Sequence, residues 1–276
     1  MRVFNDQFYT TNSIAKKCIN KIPNLYNYSS VIEPSAGTGS FSKNLKNVFA
    51  YDLDPKNKLI KKQDFLLLKQ KKQWGNNILF IGNPPFGKRS VLAKQFIKKA
   101  IELNATTIAF ILPDTFNKSS NQKYSIWPKE WSLIKTYKLP EKSFYIYTNN
   151  KKEFYHVPCT FFVWTKDVSL KSKYANLRTY PPKIMPKEFI FLPRGSKDAD
   201  FVINGNSGKI KKVSEVTNSK SEHYIRILHD RSKRWINSMM NKFRNLHYKN
   251  LSSVNGGNYW INQEEIINAW NSIRGR

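Results

Sequence analysis

The sequence predicts an α/β fold: a doubly wound, mostly parallel sheet followed by a small C-terminal accessory region. Three observations point there. Apolar strand-type runs alternate with segments of helical period through residues 13–166, which implies parallel βαβ units. The first strong run feeds directly into a glycine turn. The chain has 276 residues with 40% apolar and 14% aromatic content, enough for one medium domain plus an appendage, or two small domains.

In order along the chain, residues 13–22 set Ile14, Cys18 and Ile22 at i, i+4 and i+8, a helical stripe. Ser30–Glu33 is a short strand running into the turn Pro34-Ser35-Ala36-Gly37-Thr38-Gly39-Ser40. A helix is expected over 41–47, then a second strand at Val48–Tyr51 that ends at Asp52. Asn77–Gly82 is the next strand and ends at Asn83-Pro84-Pro85-Phe86. Residues 90–103 are helical by pattern, Leu92, Phe96 and Ala100 repeating beside Ala93, Ile97 and Ile101. Thr107–Leu112 is a buried type of strand, and His156–Trp164 carries the last strong strand signal.

After Lys166 the texture changes. Residues 168–187 are rich in Lys, Ser and Pro, with Pro181, Pro182 and Pro186, as in a linker or irregular crossover. The expected division is therefore a catalytic domain over 1–168 and a basic region over 169–276. Within the latter, Asn204–Gly208 reads as a turn, 224–243 as a basic helix, and 260–273 as a closing helix bearing Ile266, Ile267, Trp270 and Ile273.

Charge narrows the partners. Lys and Arg number 47 against 19 Asp and Glu, a formal net charge of +28, divided as +16 before residue 169 and +12 after it. Such self-repulsion is most easily tolerated opposite a polyanion, above all a phosphate backbone. Compositional drift accounts for the choice of Lys over Arg, but not for the shortage of acids. No apolar run approaches the ~18 residues of a membrane span, and Met1–Asp6 lacks the apolar stretch of a secretory signal. Cys18 and Cys159 stand too far apart in sequence to indicate a disulfide scaffold or a Cys-based zinc site. The expectation is an intracellular protein without a metal.

Three segments carry chemistry. The glycine turn after the first strand allows a ligand to approach bare backbone, a weak signal alone because plain tight turns use it too. Asp52 ends the second strand about 20 residues beyond Glu33, where a carboxylate can grip ribose hydroxyls. Asp64 is a third strand-end acid and equally a helix N-cap for the segment after it. In Asn83-Pro84-Pro85-Phe86 two prolines stiffen the backbone and remove donors, so the carbonyls stay free as acceptors. An amide with such carbonyls can hold both hydrogens of an exocyclic amine, and the aromatic ring can stack on the base that bears it.

Taken together these segments resemble the S-adenosyl-L-methionine-dependent amino-methyltransferases, in particular the DNA adenine-N6 methyltransferases. Asp6-Gln7-Phe8-Tyr9-Thr10-Thr11 is similar to their N-terminal Phe-Tyr-Thr-Pro motif, Glu33–Gly39 to their cofactor loop, and Asn83–Phe86 to their (Asp/Asn/Ser)-Pro-Pro-(Tyr/Phe) tetrad. The motif order is that of the gamma group, and the resemblance covers about residues 6–166. Two departures stand out. Thr11 replaces the usual Pro, and the tetrad ends in Phe, as in guanine-N2 ribosomal RNA methyltransferases; a related Asn-Pro-Pro-Tyr serves glutamine methylation of proteins.

The resemblance implies a Rossmann-like class I methyltransferase fold and base flipping ahead of methyl transfer. It implies that Asn83 and the Pro84 carbonyl accept from the target amine, with Pro85 stiffening the corner and Phe86 stacking on the base. Phe116 or Phe144 would cover the opposite face, Pro113 and Phe116 bordering the base pocket. Phe8, Tyr9 and Thr10 would meet the methionine end of the cofactor. Glu33, Pro34, Ala36, Gly37 and Gly39 would form its loop, Asp52 would take the ribose, and Asp64 with Phe65 the adenine. Lys88 and Arg89 would hold flanking phosphates. In the C-terminal region Arg231 and Arg234, among Arg226, Lys233, Lys242 and Arg244 with Trp235, Phe243 and Tyr248, would read nucleic acid. A solvated helix explains that last pattern almost as well. His156, His223, His229 and His247 are expected to be surface or packing residues.

The implied activity is site-specific DNA adenine-N6 methylation, of a bacteriophage, mobile-element or restriction-modification kind. The alternative is an RNA methyltransferase acting on adenine N6 or guanine N2. A third reading, a silent nucleic-acid-binding subunit, has no use for an intact loop and tetrad.

Overall fold

The computed structural model describes residues 8–149, 151–178, 185–216, 221–246, 253–254, 258–259 and 261–274. Asp6, Gln7, Pro181, Pro182, His247, Tyr248 and Trp260 lie outside them. The chain divides into two compact units, Met1–Thr179 and Tyr180–Arg276.

The first unit is built on a seven-stranded sheet. Its strands are β2 (Ser30–Glu33), β3 (Val48–Asp52), β4 (Lys61–Lys62), β5 (Ile78–Gly82), β6 (Thr107–Pro113), β7 (Ser132–Lys138) and β10 (Cys159–Thr165). The order across the sheet is β4-β3-β2-β5-β6-β10-β7. From β4 to β6 all neighbours run parallel, and β10 alone is reversed, antiparallel to both β6 and β7. The β5 and β6 strands read as near-continuous apolar runs because both faces are covered, and Ile78–Ile81 are wholly buried. Helix α1 (Asn12–Ile19) buries Ile14, Ala15, Cys18 and Ile19, and α2 (Val91–Glu102) buries Ala93, Phe96, Ile97 and Ala100, each on one stripe.

The helix expected over 41–47 is a single 3₁₀ turn, Ser42–Asn44. Its Ser and Asn residues compete for backbone partners: Asn44 Nδ2 donates to Ser40 O at 2.8 Å and to Asn12 Oδ1 at 2.7 Å. The segment is also too short to propagate a helix. Three further strands form a separate small sheet in the order β1-β8-β9: β1 (Tyr9–Thr10), β8 (Phe144–Thr148) and β9 (Lys151–Tyr155).

The unit runs past the expected boundary at residue 168. Helix α3 (Val168–Lys173) continues it, with Asp167 capping Leu170 N at 3.0 Å. Arg178 then reaches back into a nest of carbonyls: its Nε donates to Gln122 O at 2.7 Å and Nη2 to Trp127 O at 2.8 Å. Its guanidinium lies 5.5 Å from the centre of Trp164, which stacks on Trp127 at 4.1 Å. Guanidinium planarity suits this combination of carbonyls and ring face.

The second unit holds a four-stranded antiparallel sheet, β11-β14-β12-β13, from β11 (Phe189–Leu192), β12 (Phe201–Asn204), β13 (Ile210–Lys211) and β14 (Glu222–Ile227). Helices α4 (Lys233–Arg244) and α5 (Gln263–Arg274) complete it, with a two-stranded ribbon of β15 (Ser253–Val254) and β16 (Asn258–Tyr259). Phe189, Phe201, Phe243 and Trp270 share its core, Phe243 stacking on Trp270 at 4.7 Å. The continuous helix expected over 224–243 is therefore a strand followed by a helix. Asp230 fixes Ser232, whose hydroxyl caps Trp235 N, and this cap starts the helix late.

Arg178→Ala removes charge-assisted bonds to buried carbonyls, and we expect a loss of about 2 kcal/mol. Denaturant unfolding checks this, and an unchanged midpoint would contradict it.

Candidate active site

The sheet order reverses between β2 and β5, so the loops leaving these two strands diverge and open a crevice. A cavity of about 730 Å³ occupies it, within the roughly 300–1,000 Å³ typical of small-molecule sites. Phe8, Tyr9, Thr10, Glu33, Pro34, Ala36, Gly37, Asp52, Asp64, Phe65 and the whole Asn83–Phe86 corner line it. One cavity thus gathers three sequence motifs spread over some 80 residues.

The glycine loop is pinned to the end of β3. Gly37 N donates to Asp52 Oδ2 at 2.7 Å, Asp54 N to Asp52 Oδ1 at 2.8 Å, and Ala36 N to Tyr51 O at 2.9 Å. Each Asp52 oxygen keeps a further lone pair for a hydroxyl. Gly37 has φ +52° and a Cβ there would lie 3.1 Å from the Tyr9 ring, so both backbone and neighbour demand glycine. Gly39 does not line the cavity; it closes the turn, donating to Ala36 O at 2.7 Å. Asp64 borders the cavity and also caps its own turn, accepting from Leu66 N at 2.8 Å.

Glu33 ends β2 and is buried. Ser42 N donates to its Oε2 at 2.8 Å. Burial nonetheless dominates and pushes the carboxyl up to about 8, with neighbouring Asp52 adding to the rise.

Asn83 is held from two sides. Its Nδ2 donates to Phe8 O at 3.1 Å, and its main-chain carbonyl accepts from Ser35 Oγ at 3.0 Å. Committing the NH2 end to Phe8 leaves Oδ1 as a buried acceptor with no partner. A buried unpartnered carbonyl oxygen is costly and uncommon, and here it belongs to a residue facing an open cavity. The chain leaves the corner through Gly87, at φ +66°, then Arg89 and Ser90 at φ +55° and +59°. Left-handed geometry at two non-glycine residues stores roughly 1–3 kcal/mol each beside the rim.

Several expected residues fall elsewhere. Phe116 and Phe144 are 2% and 0% exposed and lie in the main core, so neither ring can cover a base. Pro113 does not border the cavity; it ends β6 in an ordinary strand turn, opposite Cys159. Arg231 is already paired, its guanidinium donating to Asp200 Oδ1 at 2.7 and 3.1 Å and to Asp198 O. It ties β12 to the approach of α4 and is a structural cation. Arg234 is exposed on α4, Arg226 lies on β14, and Phe243 is core. Lys88 and Arg89 are exposed where the chain leaves the tetrad, on a shallow pocket that shares Gly87 and Leu92 with the cavity. His223 is buried and bonds Ile261 O at 2.7 Å, while His156 and His229 are exposed.

Sequence reasoning missed Leu53, which lines the cavity while 64% exposed, and the β8–β9 hairpin. Tyr145 on that hairpin stacks on Tyr9 at 5.6 Å and bonds Thr38 through its hydroxyl at 3.2 Å. Alternating aromatics at 145 and 147 before Asn149-Asn150 were the available signal.

Among known proteins, residues 39–175, just under half of the chain, match the family described as EDM2 methyltransferase-like domain. No curated protein sequence matches the chain. Among solved structures, a Pyrococcus horikoshii protein assigned as an RNA methyltransferase aligns at 17% identity, over 61% of this chain and 90% of that one, with a TM-score of 0.45. The type IIL restriction-modification enzyme MmeI, solved with DNA, aligns at 11% identity over 70% of this chain and 42% of its own, TM-score 0.36. A precorrin-6y C5,15-methyltransferase from Geobacter metallireducens aligns at 10% identity, over 58% and 93%, TM-score 0.31. The β4-to-β7 strand order with its one reversed strand is the class I methyltransferase fold.

Glu33 yields a pH prediction. An unfolded glutamate releases its proton near 4.5, the folded one near 8, so stability owed to this group is full below pH 4.5 and lost as pH rises to 8. Relative to Glu33→Gln, the parent should lose up to about 1.4 kcal/mol per pH unit in that window. Parallel stability curves in urea would refute it.

Proposed function

We propose that this chain, a class I methyltransferase fold, is an S-adenosyl-L-methionine-dependent methyltransferase whose target is the exocyclic N6 amine of adenine in DNA. One observation carries the reading: the Asn83–Phe86 corner, whose Asn83 Oδ1 is an acceptor without a partner, lines the same cavity as the glycine loop. An amine N–H is the partner that atom lacks.

The lining residues fit the cofactor. Asp52 has two oxygens with spare lone pairs for a ribose diol, and Gly37 offers bare backbone. Asp64 and Leu53 border the same space, an acid for an amino group and an apolar side chain for a ring. When bound, S-adenosyl-L-methionine supplies a methyl group on a positively charged sulfur, which leaves readily. The protein's own task is alignment. Asn83 Oδ1 and the Pro84 carbonyl accept hydrogen bonds from the two amine hydrogens, turning the nitrogen lone pair out of the ring plane. The methylated nitrogen then sheds one of those protons to water. The Phe8 carbonyl keeps the Asn83 amide from rotating. Phe86, a lining residue, offers its ring to the flipped base, a step that costs a few kcal/mol of unstacking. The net charge of +28 suits a phosphate backbone as the carrier of that base.

Incubation with labelled cofactor and separate DNA and RNA pools, followed by nucleoside mass spectrometry, tests the proposal. N6-methyladenine in DNA is expected, falling at least about 100-fold in Asn83→Ala, as loss of a directional hydrogen-bond acceptor in the transition state predicts. Label confined to RNA, or a fully active Asn83→Ala protein, would overturn it. Asp52→Ala should weaken cofactor binding far more than nucleic-acid binding in calorimetry; equal losses would refute the ribose assignment.

A further inference from the structure

The hairpin of β8 and β9 presents two unlike faces. Register pairs Tyr145 with Phe154 and Tyr147 with Lys152, while Tyr9 of β1 pairs with Tyr145. Directly paired residues share a face of a sheet. One face therefore carries Tyr9, Tyr145, Tyr147, Lys152 and Phe154. The other carries Phe144, which is core, and Tyr155, which stacks on Phe8 at 4.9 Å.

The first face forms an aromatic run. Tyr9 packs over Gly37 and lines the cavity; Tyr145 and Tyr147 lie 5.6 and 5.8 Å from it. The run ends in water, with Tyr147 55% and Phe154 60% exposed. Lys152 stands 4.0 Å over the Tyr145 ring and is exposed. Lysines alone on β9, an edge strand, would be an ordinary defence against sheet extension. Two large aromatics are the opposite of such a defence and call for an occupant.

We propose that this face is a docking surface for an unpaired nucleic-acid strand, with bases stacked on Phe154 and Tyr147 and a phosphate held by Lys152. The complementary charge is the argument for this occupant. Exposed aromatics interleaved with cations suit a chain of alternating π faces and anions, whereas a duplex hides its base faces. The surface leads directly to Tyr9 and the cavity. Only its link to methyl transfer rests on the function proposed above: the strand flanking the target base would lie along the hairpin, favouring single-stranded or locally melted substrates.

Fluorescence anisotropy of labelled strands of about 12 nucleotides, within the site sizes of such proteins, tests this without turnover. Single-stranded DNA, single-stranded RNA and duplex DNA are compared. Phe154→Ala should weaken single-strand binding about tenfold, with duplex binding little changed. Phe154→Leu should lose as much, since it keeps apolar bulk but not the ring, and Phe154→Trp should retain affinity. Lys152→Gln should flatten the salt dependence of single-strand binding.

Parent-like affinity in Phe154→Ala or Phe154→Leu, or an equal loss on duplex, would overturn the proposal. So would sedimentation showing that Phe154→Ala abolishes self-association while strand binding stays intact, because the occupant would then be a second copy. Strand binding through Phe154 in a protein that methylates nothing would refute the methyltransferase reading and leave this surface standing. The reverse result would do the opposite.

Discussion

Parallel pairing of β2 with β5, in the register that sets Ile32 beside Phe80, underlies the geometry of the first unit. Glu33 and Asn83 both leave the same edge of the sheet because their strands are neighbours, though 50 positions separate them in the chain. From Glu33 the chain turns toward β3, and from Asn83 toward β6, so the two loops part and leave space between them. Everything else at the site is an attachment to one bank of that cleft. Asp52 fastens the glycine loop, Ser35 reaches across to the Asn83 carbonyl, and the N-terminal segment lies over both.

Much of this arrangement was legible in the chain. The β5 strand is an unbroken apolar run and β2 a short buried one, and the motifs that follow need particular backbones: glycine at 37, proline at 84 and 85. Local chemistry of that kind survives folding unchanged. What the sequence hid was decided by packing across large separations. Phe116 and Phe144 are aromatics in polar neighbourhoods, indistinguishable on paper from base-stacking residues, yet the sheet buries both. Arg231 looks like a phosphate contact until Asp200, a partner 31 positions upstream, is brought beside it.

Secondary structure failed for the same reason in the second unit. Residues 222–227 alternate weakly and sit among basic residues that also suit a helix, but the pairing of Tyr224 with Leu192 and Val202 makes them a central strand. That unit has an aromatic core of its own around Phe243 and Trp270, and α4 turns Lys233, Arg234 and a partly exposed Trp235 to solvent. Positive charge is thus distributed over two separately packed bodies, and no tail accounts for it.

The bond from Asn83 to Phe8 is made to a main-chain oxygen, an atom every amino acid possesses. The orientation of the acceptor amide is therefore indifferent to which side chain stands at position 8 but sensitive to how the chain is counted there. A one-residue insertion between Phe8 and Tyr9 would present an amide hydrogen or a side chain where the oxygen belongs, and the Asn83 carboxamide would be free to turn end for end.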